Sequence, residues 1–448
     1  MKMKFGFVWL LAAALLAGCS GAKESEDTVV NGDAMKEEKI KEVATASYPE
    51  EPVFESWEEQ FEWSYNQRTM KTEQFTEAYE KFAIDTAAEL FSGKEENMVY
   101  SPLSLYYALA YAADGAGGDT QAEMLALLGY EDADSLAEDC KISFESLYHV
   151  SNEENVKENE YGEYPQETRY QLKIANSLWA DDYFEVKEEF AAHGAGYYYA
   201  DMFQGDLQSQ ETADAMADWV KEHTNGLIAP SAEPKAEEAV LSLMNTVYFY
   251  DEWMDRFNKE KTAEDTFTCT DGTEVTCEFM NRTMGSHAFR KGEDYTMSAL
   301  SLKNGSMEFY LPDEGVSVYE LAENLEHVLK DEVPSVSGEV VWKIPKFSYG
   351  SSMSLVDCLT ALGMEKAFDA DADFNGISDD PLFISSISQD AHIGIDENGV
   401  EAAAFTEIMW AGAALPTDRA DMILDRPFLY VVKNNGVIVF VGICENPA

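Results

Sequence analysis

The segment from Glu397 to Pro416 limits the possible folds of this chain more than any other part, because it combines the features of a loop with those of a strand. It begins with Asn398-Gly399, ends with Gly412 and Pro416, and is rich in small residues, as loops are. It also alternates with the period of two of a half-buried strand. Its two sides would be Val400, Ala402, Ala404, Thr406, Ile408 and Trp410 against Glu401, Ala403, Phe405, Glu407 and Met409. The pattern predicts a switch between loop and strand, although local composition alone also fits a surface loop or an alanine-rich helix.

The N-terminus has the pattern of a lipoprotein signal. Lys2 and Lys4 precede an apolar run over 5–16 that is too short to span a membrane in the mature protein. The tetrapeptide Leu16-Ala17-Gly18-Cys19 resembles the bacterial lipobox, whose cysteine is lipidated and becomes the first mature residue. We therefore expect a signal peptide over 1–18 and a lipid anchor at Cys19. This anchor would hold the exported protein on the outer, extracellular face of the bacterial cell membrane.

Residues 19–70 are predicted to form an acidic tether. The segment is polar and acidic, with little apolar periodicity before Trp57, so it cannot bury enough surface to offset the cost of ordering. Its aromatic residues leave two alternatives open, docking on the domain or a short amphipathic helix. They are Phe54, Trp57, Phe61, Trp63 and Tyr65.

Charge and cysteine usage limit the partners. The chain has 85 acidic and 31 basic residues and a formal net charge of −54, so we do not expect it to bind nucleic acid or anionic surfaces. Beyond Cys19 the cysteines are odd in number and include no C-x-x-C pair, which argues against a disulfide framework. They are Cys140, Cys269, Cys277, Cys358 and Cys444.

The sequence lacks the motifs of enzymes and metal sites. It has no G-x-S-x-G, H-E-x-x-H, Walker or G-x-G-x-x-G motif, and its six histidines are scattered. Asp371, Asp373, Asn375 and Gly376 match the start of an EF-hand loop, but Leu382 stands where the bidentate glutamate belongs. A capped turn is the better interpretation, and we expect no catalytic activity, no metal and no cofactor.

Helices and strands are interspersed without a regular βαβ succession or a repeat. Helical spacing of apolar residues predicts helices over 73–91, 104–113 and 211–224. Branched and aromatic residues predict strands over 172–180, 240–250, 340–347 and 428–444. The pattern predicts an α+β fold with large sheets.

Five blocks of residues resemble the serpin family, in the order and spacing of that family from about residue 73 to 447. The first two are Asn97-Met98-Val99-Tyr100-Ser101-Pro102-Leu103-Ser104 and Leu243-Met244-Asn245-Thr246-Val247-Tyr248-Phe249 with Trp253 and Phe257. The others are Trp219-Val220 with Thr224 and Gly226, the hinge-like Glu397 to Ala404, and Arg426-Pro427-Phe428 with Phe440-Val441-Gly442 and Asn446-Pro447. The resemblance implies a serpin domain over 71–448. It would have three β-sheets, eight or nine α-helices and an exposed reactive-centre loop at about 397–420.

The resemblance also implies a suicide-type inhibitor of serine proteases that acts as a monomer. A protease would attack the loop and form an acyl-enzyme, and the cut loop would then insert as a strand into the largest sheet. About 16 inserted residues at ~3.3 Å each would carry the protease on the order of 50 Å. The core-facing side of the loop must be largely apolar, and the set from Val400 to Ile408 satisfies this.

The resemblance assigns further site residues. In the family, Glu397 pairs with Lys346 beside Trp253 where the sheet first opens. The hinge would comprise Glu397, Gly399, Val400, Glu401, Ala402, Ala403 and Ala404, and a polar cluster under the sheet centre would comprise Ser101, Ser104, Asn245 and Gln389. Gln389 replaces the family's usual histidine and can donate and accept as neutral imidazole does. His392 is expected on the opposite face, and Phe405 is bulky where small residues are typical.

The family's loop length, counted from Glu397, places the reactive bond at Ala413–Ala414. Small residues there suit a protease with a shallow primary pocket, such as an elastase-like serine protease. The segment down to Pro427 is about three residues longer than the family pattern. Met409, Trp410 or Leu415 therefore remain alternatives that would favour chymotrypsin-like or cysteine proteases.

Two other functional hypotheses are also compatible with the sequence. A non-inhibitory serpin acting as a binding or carrier lipoprotein would keep the fold, but such relatives usually carry charged or bulky hinge residues, unlike Ala402-Ala403-Ala404. A lipid-anchored solute-binding protein is the third hypothesis. Only this last one predicts stabilisation by a ligand in the absence of protease.

Overall fold

Ten α-helices and 17 strands lie within residues 40–151, 170–236, 239–400 and 418–448, which are the residues that the computed structural model describes. The helices are α1 (Trp57–Thr69), α2 (Glu73–Phe91), α3 (Pro102–Asp114), α4 (Gly118–Leu128), α5 (Ala133–Leu147), α6 (Glu188–Tyr197), α7 (Gln210–His223), α8 (Val318–Glu323), α9 (Leu325–Leu329) and α10 (Val356–Ala361). The strands are β1 (Ile40–Ala44), β2 (Met98–Tyr100), β3 (His149–Val150), β4 (Gln171–Ala180), β5 (Ala200–Gly205), β6 (Leu241–Glu252), β7 (Ala263–Thr268), β8 (Glu274–Lys291), β9 (Tyr295–Ser301), β10 (Gly305–Pro312), β11 (Val336–Pro345), β12 (Phe347–Ser354), β13 (Ser386–Ile395), β14 (Gly399–Val400), β15 (Arg419–Ile423), β16 (Phe428–Asn434) and β17 (Val437–Cys444).

Capping side chains mark where several helices begin. Thr72, Asp132 and Ser209 each accept a hydrogen bond from a backbone N–H in the first turn of α2, α5 and α7. The three predicted helices match α2, α3 and α7 within two residues at each end. α3 is buried from Pro102 to Ala113, because it packs against strands of both sheets.

The first sheet, called the central sheet below, has the strand order β1-β5-β4-β6-β14-β13-β12, with β3 beside β4. β4 and β6 confirm the strands predicted over 172–180 and 240–250, and they pair antiparallel along their length. β13 is parallel to β6, whereas β14 is antiparallel to both. This arrangement places the start of the predicted reactive loop inside the sheet.

The second sheet has the order β15-β11-β8-β9-β10-β16-β17-β2, with β7 beside β8. The segment predicted as one strand over 428–444 is a hairpin, since Asn435 and Gly436 have φ of 48° and 80° and turn the chain. The prediction over 340–347 spans two strands, β11 and β12, which belong to different sheets and meet at Lys346. The α+β class is confirmed. The described residues form two hydrogen-bonded sheets where three were expected, because the long strand β8 pairs with β7, β11 and β9.

The structure of the N-terminal segment from residue 40 onward shows that the prediction of an acidic tether over 19–70 was wrong for that part. The compact unit begins at Lys39, and β1 pairs antiparallel with β5 at the edge of the central sheet. The Ala46 N–H donates to Asp201 at 2.9 Å, and the Tyr48 ring stacks on Tyr148 with centroids 5.0 Å apart. Polar composition misled the prediction, because an edge strand is held by backbone hydrogen bonds to its neighbour. The folded domain therefore starts near residue 39 rather than at 71.

α1 lies in the same segment and accounts for a helix beyond the expected eight or nine. Its Trp63 ring packs against Phe54 and His149, with centroids 5.5 and 6.1 Å apart, so the aromatic residues both form a helix and dock on the domain. Exposed aromatic side chains of this helix are Trp57, Phe61 and Tyr65. Among the described residues, no helix combines the length and apolarity needed to cross a bilayer.

Candidate functional site at the opening of the central sheet

The segment 397–400 leads from β13 towards the predicted reactive loop. Gly399 and Val400 form β14, which pairs with residues 251–252 of β6 on one side. On the other side Val400 pairs with Ile395 of β13. The chain thus enters the central sheet as a two-residue strand between two longer ones.

Gly399 allows an unusually close approach of two backbones. A Cβ atom at this position would lie 2.3 Å from the Asp251 carbonyl oxygen and 2.6 Å from the Glu252 Cα. Asp396 accepts the backbone N–H of Asn398 at 2.7 Å and closes the tight turn that leads into β14. Glycine is therefore required for β14 to pair with β6.

Beyond β14, β6 and β13 are not paired with each other over a stretch that we call the seam, residues 246–250 of β6 and 390–394 of β13. Each of these stretches pairs on its other side, with β4 and β12 respectively. Direct pairing of β13 with β6 is confined to 386–389 and 242–245. An open groove of about 820 Å³ lies at the β14 end of the seam and is lined in part by Tyr250, Gly394 and Ile395. Among the described residues, the sheet is thus closed at one end, occupied by β14 at the other, and unpaired between.

Glu397 and Lys346 form the ion pair that the family resemblance implied. The Glu397 carboxylate is 4% exposed, lies 3.5 Å from the Lys346 Nζ, and accepts a hydrogen bond from the Thr262 hydroxyl at 2.8 Å. Lys346 also pairs with Glu278 at 3.1 Å. Sequence reasoning missed Thr262 and Glu278, because neither carries a local signal and only the fold brings the start of β7 and β8 beside the hinge.

The surroundings favour the charged forms of this pair. Burial raises the pKa of Glu397, but the Thr262 hydrogen bond and the Lys346 charge outweigh burial and hold that pKa below its usual range. Burial lowers the pKa of Lys346, and its two carboxylate partners reverse this and raise it. Because the carboxyl pKa is depressed in the folded state, the pair stabilises the fold at neutral pH and loses this effect as acid protonates Glu397.

Trp253 holds the backbone of the same turn. Its indole Nε1 donates to the Asp396 carbonyl at 2.8 Å, and its backbone N–H donates to the Asn398 carbonyl at 2.9 Å. The Phe257 N–H donates to the Glu397 carbonyl, also at 2.8 Å. The structure therefore brings Glu397, Lys346 and Trp253 together at one end of the seam.

The predicted polar cluster lies at the closed end of the seam, and its members are Ser101, Ser104, Asn245 and Gln389, none more than 2% exposed. Gln389 accepts the Ser101 N–H at 2.8 Å and donates to the Ser101 carbonyl at 2.8 Å and to the Asn245 Oδ1 at 2.9 Å. The Ser104 hydroxyl donates to the same Asn245 oxygen at 2.6 Å. Gln389 therefore ties β13 to β6 and to the start of α3. His392 lies on the opposite face, where its Nε2 is 3.2 Å from the Ser348 hydroxyl.

Asn176 belongs to this buried polar region and was missed by sequence reasoning. It lies directly opposite Asn245 in the β4–β6 ladder, so both side chains are on the same face. In the described part of the chain, the Asn176 amide, the Asn245 Nδ2 and the Ser101 Oγ have no hydrogen-bond partner in the protein. The signal available in the sequence was an asparagine among the apolar residues that alternate on the core-facing side of β4.

Several predicted site residues lie outside the described residues. They are Glu401, Ala402, Ala403 and Ala404 of the hinge, the bond Ala413–Ala414, and Cys19. The EF-hand-like segment is described, and there the Asp373 carboxylate accepts the Asn375 N–H at 3.2 Å, which is a capped turn. In the described ranges, no group of three or more His, Cys, Asp or Glu side chains could hold a metal ion.

The described residues form two sheets, and the central one contains a short hinge strand next to a seam where β6 and β13 are not paired. This combination of features restricts the chain to a narrow class of α+β proteins. The family model described as "Serpin (serine protease inhibitor)" matches residues 77–447. Neuroserpin of Mus musculus is 30% identical over 381 residues, which cover 80% of this chain and 87% of neuroserpin. This chain belongs to the serpin family, whose members have a protease-inhibitor fold.

Solved structures agree with this assignment. Serpin48 of the insect Tenebrio molitor has a TM-score of 0.71 and 26% identity, covering 84% of this chain and 99% of Serpin48. Human thyroxine-binding globulin, solved in complex with thyroxine, has a TM-score of 0.69 and 22% identity, covering 83% of this chain and 100% of the globulin. The second likeness concerns the fold alone.

Proposed function

We propose that this chain is a suicide-type inhibitor of serine proteases with elastase-like preference, held on the outer face of the bacterial cell membrane by a lipid anchor at Cys19. The observation that carries the inhibitory mechanism is β14. Two hinge residues already form a strand between β6 and β13, and in the part of the chain that the structure describes the seam ahead of them is unpaired. A strand seeded at one end of an open seam is the starting point that loop insertion requires.

The register of β14 supports insertion without a shift. Val400 is opposite residue 251 of β6 and residue 395 of β13. Counting on, Ala402 would lie between 249 and 393, and Ala404 between 247 and 391. These four neighbours belong to the hydrophobic core; they are Phe249, Ile393, Val247 and Ala391. Small apolar side chains at 402 and 404 therefore suit the inner face of the seam.

The same count brings Thr406 to the polar cluster at the closed end. It would lie between residues 245 and 389, where the Asn245 Nδ2 and the Ser101 Oγ have no hydrogen-bond partner among the described residues. A threonine hydroxyl can donate and accept there. Insertion of Thr406 and of the residues after it must part β6 from β13, because residues 245 and 389 pair directly, and must break the hydrogen bond from Gln389 to Asn245. The cluster would then act as a latch on the last stage of insertion.

The chemistry belongs to the protease. Its serine oxygen attacks the Ala413 carbonyl carbon, the bond to the Ala414 nitrogen breaks, and the amine leaves with a proton from the protease's histidine. The Ala413 acyl group remains bound to the serine as an ester. Insertion of the cut loop would displace and distort the protease before water attacks this ester. The chain would thus be a consumed substrate rather than an enzyme, and it would need no cofactor.

The alternative is a non-inhibitory serpin acting as a binding or carrier lipoprotein. Thyroxine-binding globulin has the same fold, so the fold by itself does not separate the two hypotheses. The small residues Ala402-Ala403-Ala404 and the paired β14 favour insertion.

Incubation of the purified protein with pancreatic or neutrophil elastase tests the proposal. We expect a covalent complex on denaturing electrophoresis, cleavage mapped after Ala413, and a higher thermal midpoint for the loop-cleaved protein. Turnover as an ordinary substrate, with no gain in thermal stability after cleavage, would overturn the inhibitory mechanism. Cleavage after Met409, Trp410 or Leu415 with a stable complex would correct the bond and keep the mechanism.

A further inference from the structure

A cavity of about 240 Å³ lies where the N-terminal segment meets the end of α5 and β3. It is formed by residues far apart in the chain, because the segment 49–67 folds back onto the domain. Its walls combine carboxylates with aromatic rings, and they include Glu50, Glu51, Glu145, Trp63, Tyr148 and Tyr199. Nothing in the inhibitory mechanism uses this cavity.

A smaller chamber of about 50 Å³ adjoins the cavity and shares Trp63, Gln67 and Glu145 with its lining. Within the described residues, three of its lining side chains carry buried oxygens without a hydrogen-bond partner in the protein: Gln67 Oε1, Ser146 Oγ and Asn434 Oδ1. Ser146 and Asn434 are 6% and 0% exposed. Burying such atoms without a hydrogen bond is unfavourable, so their placement points to a bound group that donates hydrogen bonds to them.

The cavity walls are held in place by contacts from several elements. Glu145 accepts the Tyr199 hydroxyl at 2.8 Å, and Glu51 accepts the Gln60 side-chain amide of α1 at 3.3 Å. Tyr199 has a φ of 49°, which is uncommon for a bulky residue, and its ring stacks on Phe144 with centroids 4.3 Å apart. A strained backbone that the surroundings maintain is often found at functional sites.

The chemistry of these walls selects a cation that donates hydrogen bonds. The carboxylates, the amide oxygens and a hydroxyl accept hydrogen bonds, and the ring faces of Trp63 and Tyr148 attract positive charge. A metal ion does not suit the site, since no metal-holding group of side chains occurs in the described ranges. Two adjoining chambers of unequal size suit an elongated molecule with a charge at each end.

We propose that this cavity binds an aliphatic diamine or polyamine. One ammonium lies among the carboxylates of the outer cavity, the alkyl chain lies against Trp63, and a second ammonium donates to the oxygens of Gln67, Ser146 and Asn434. The proposal is independent of the inhibitory function, because none of these residues belongs to the hinge, the seam or the polar cluster.

Calorimetric titration of the full purified chain with 1,6-diaminohexane tests the proposal, with 1,6-hexanediol as the uncharged match. We expect one diamine per chain and no heat from the diol. Glu145→Gln keeps an acceptor for Tyr199 but removes the charge, and it should weaken diamine binding by about tenfold or more. Glu314→Gln is the matched control, because Glu314 is exposed and lies outside the cavity lining. It should leave diamine binding unchanged.

Three outcomes would overturn the proposal: many weak diamine sites per chain, equal effects of the two glutamate variants, or equal binding of the diol. The first two would mean diffuse attraction of cations to a chain of net charge −54. If Glu145→Gln fails to fold, Glu50→Gln tests the same wall, since Glu50 is exposed and lines the cavity. Inhibition of elastase serves as a separate readout that this variant should leave unchanged.

Discussion

Gln389 makes its hydrogen bonds where β13, β6 and the start of α3 meet. Its amide satisfies both backbone groups of Ser101 and donates to the Asn245 Oδ1, all of them buried. The sequence identified the position through the family's polar cluster. It did not reveal that Gln389 bonds to the Ser101 backbone, because that contact joins residues 288 apart in the chain.

We expect Gln389→Ala to lower the thermal midpoint of unfolding. The substitution leaves the Ser101 N–H and carbonyl buried without partners, at a cost of about 3 kcal/mol. Gln389→His should lose less, because imidazole keeps a donor and an acceptor. Ser388→Ala, on the other face of β13, is the control and should change the midpoint little. Equal midpoints for Gln389→Ala and this control would contradict the latch role of the cluster.

Asp251, which is opposite Val400 in β6, makes the stability of the hinge region depend on pH. Burial raises its pKa to about 6, although hydrogen bonds from the backbone N–H groups of Asn304 and Glu252 lower it. An unfolded aspartate titrates near ~4, so the folded state binds more protons between pH ~4 and ~6. Stability should therefore rise as pH falls through this window. At pH 7 the ionised carboxylate costs the folded state about 3 kcal/mol.

Thermal midpoints measured from pH 7.5 to pH 5 in the wild type and in Asp251→Asn test this prediction. The difference between the two proteins should favour the variant at pH 7.5 and shrink on acidification, because protonation of Asp251 removes the charge that the variant lacks. The comparison cancels the opposite effect of Glu397, which is present in both proteins. Parallel profiles would show that Asp251 does not titrate in this range.

At the scale of elements, β14 and the seam decide what the hinge can do. The alternation from Val400 onward predicted which side chains would face the core, and the register of β14 with β6 and β13 agrees with that assignment as far as Val400. The sequence could not show that two residues are already paired in the sheet. Pairing of two residues depends on the spacing of the neighbouring strands, which is a tertiary property.

Ala404→Arg and Ala403→Arg form a matched pair for testing this register. Ala404→Arg would place a charge on the inner face beside Val247 and Ala391 and should convert the protein from an inhibitor to a cleaved substrate. Ala403→Arg would place the same charge on the outer face and should keep most of the covalent complex. The yield of complex with elastase is the measurement. Equal loss in both variants would contradict the register, whereas equal retention would contradict insertion itself.

At the scale of the whole molecule, the net charge of −54 governs encounter with a protease. Long-range attraction speeds association of oppositely charged proteins and is screened by salt. We expect the association rate with a positively charged protease to fall by about tenfold between ~0.05 and ~0.5 M salt. A protease of low net charge is the control and should show little change. A rate independent of salt for both would show that the charge serves solubility alone.

At this scale, two features could not be predicted from the sequence: the pairing of the N-terminal segment with the domain, and the number of sheets. β1 carries one lysine and one glutamate among its five residues and has no strong strand pattern, yet it pairs with β5. The second sheet is continuous because the long strand β8 pairs with β7, with β11 and with β9 along its length. Both features depend on neighbours that are distant in sequence.

Local patterns of side chains were enough to predict the α+β class, the long helices and strands, the family blocks and the alternation of the segment after Glu397. Three features became visible only in the folded chain: Val400 is paired in a strand, the seam beyond it is unpaired among the described residues, and Thr262 and Glu278 hold the hinge ion pair. Tertiary structure also decided that the N-terminal segment folds onto the domain and closes an acidic, aromatic cavity. The physical reason is that these features depend on backbone pairing and on burial between remote segments, which no local pattern records.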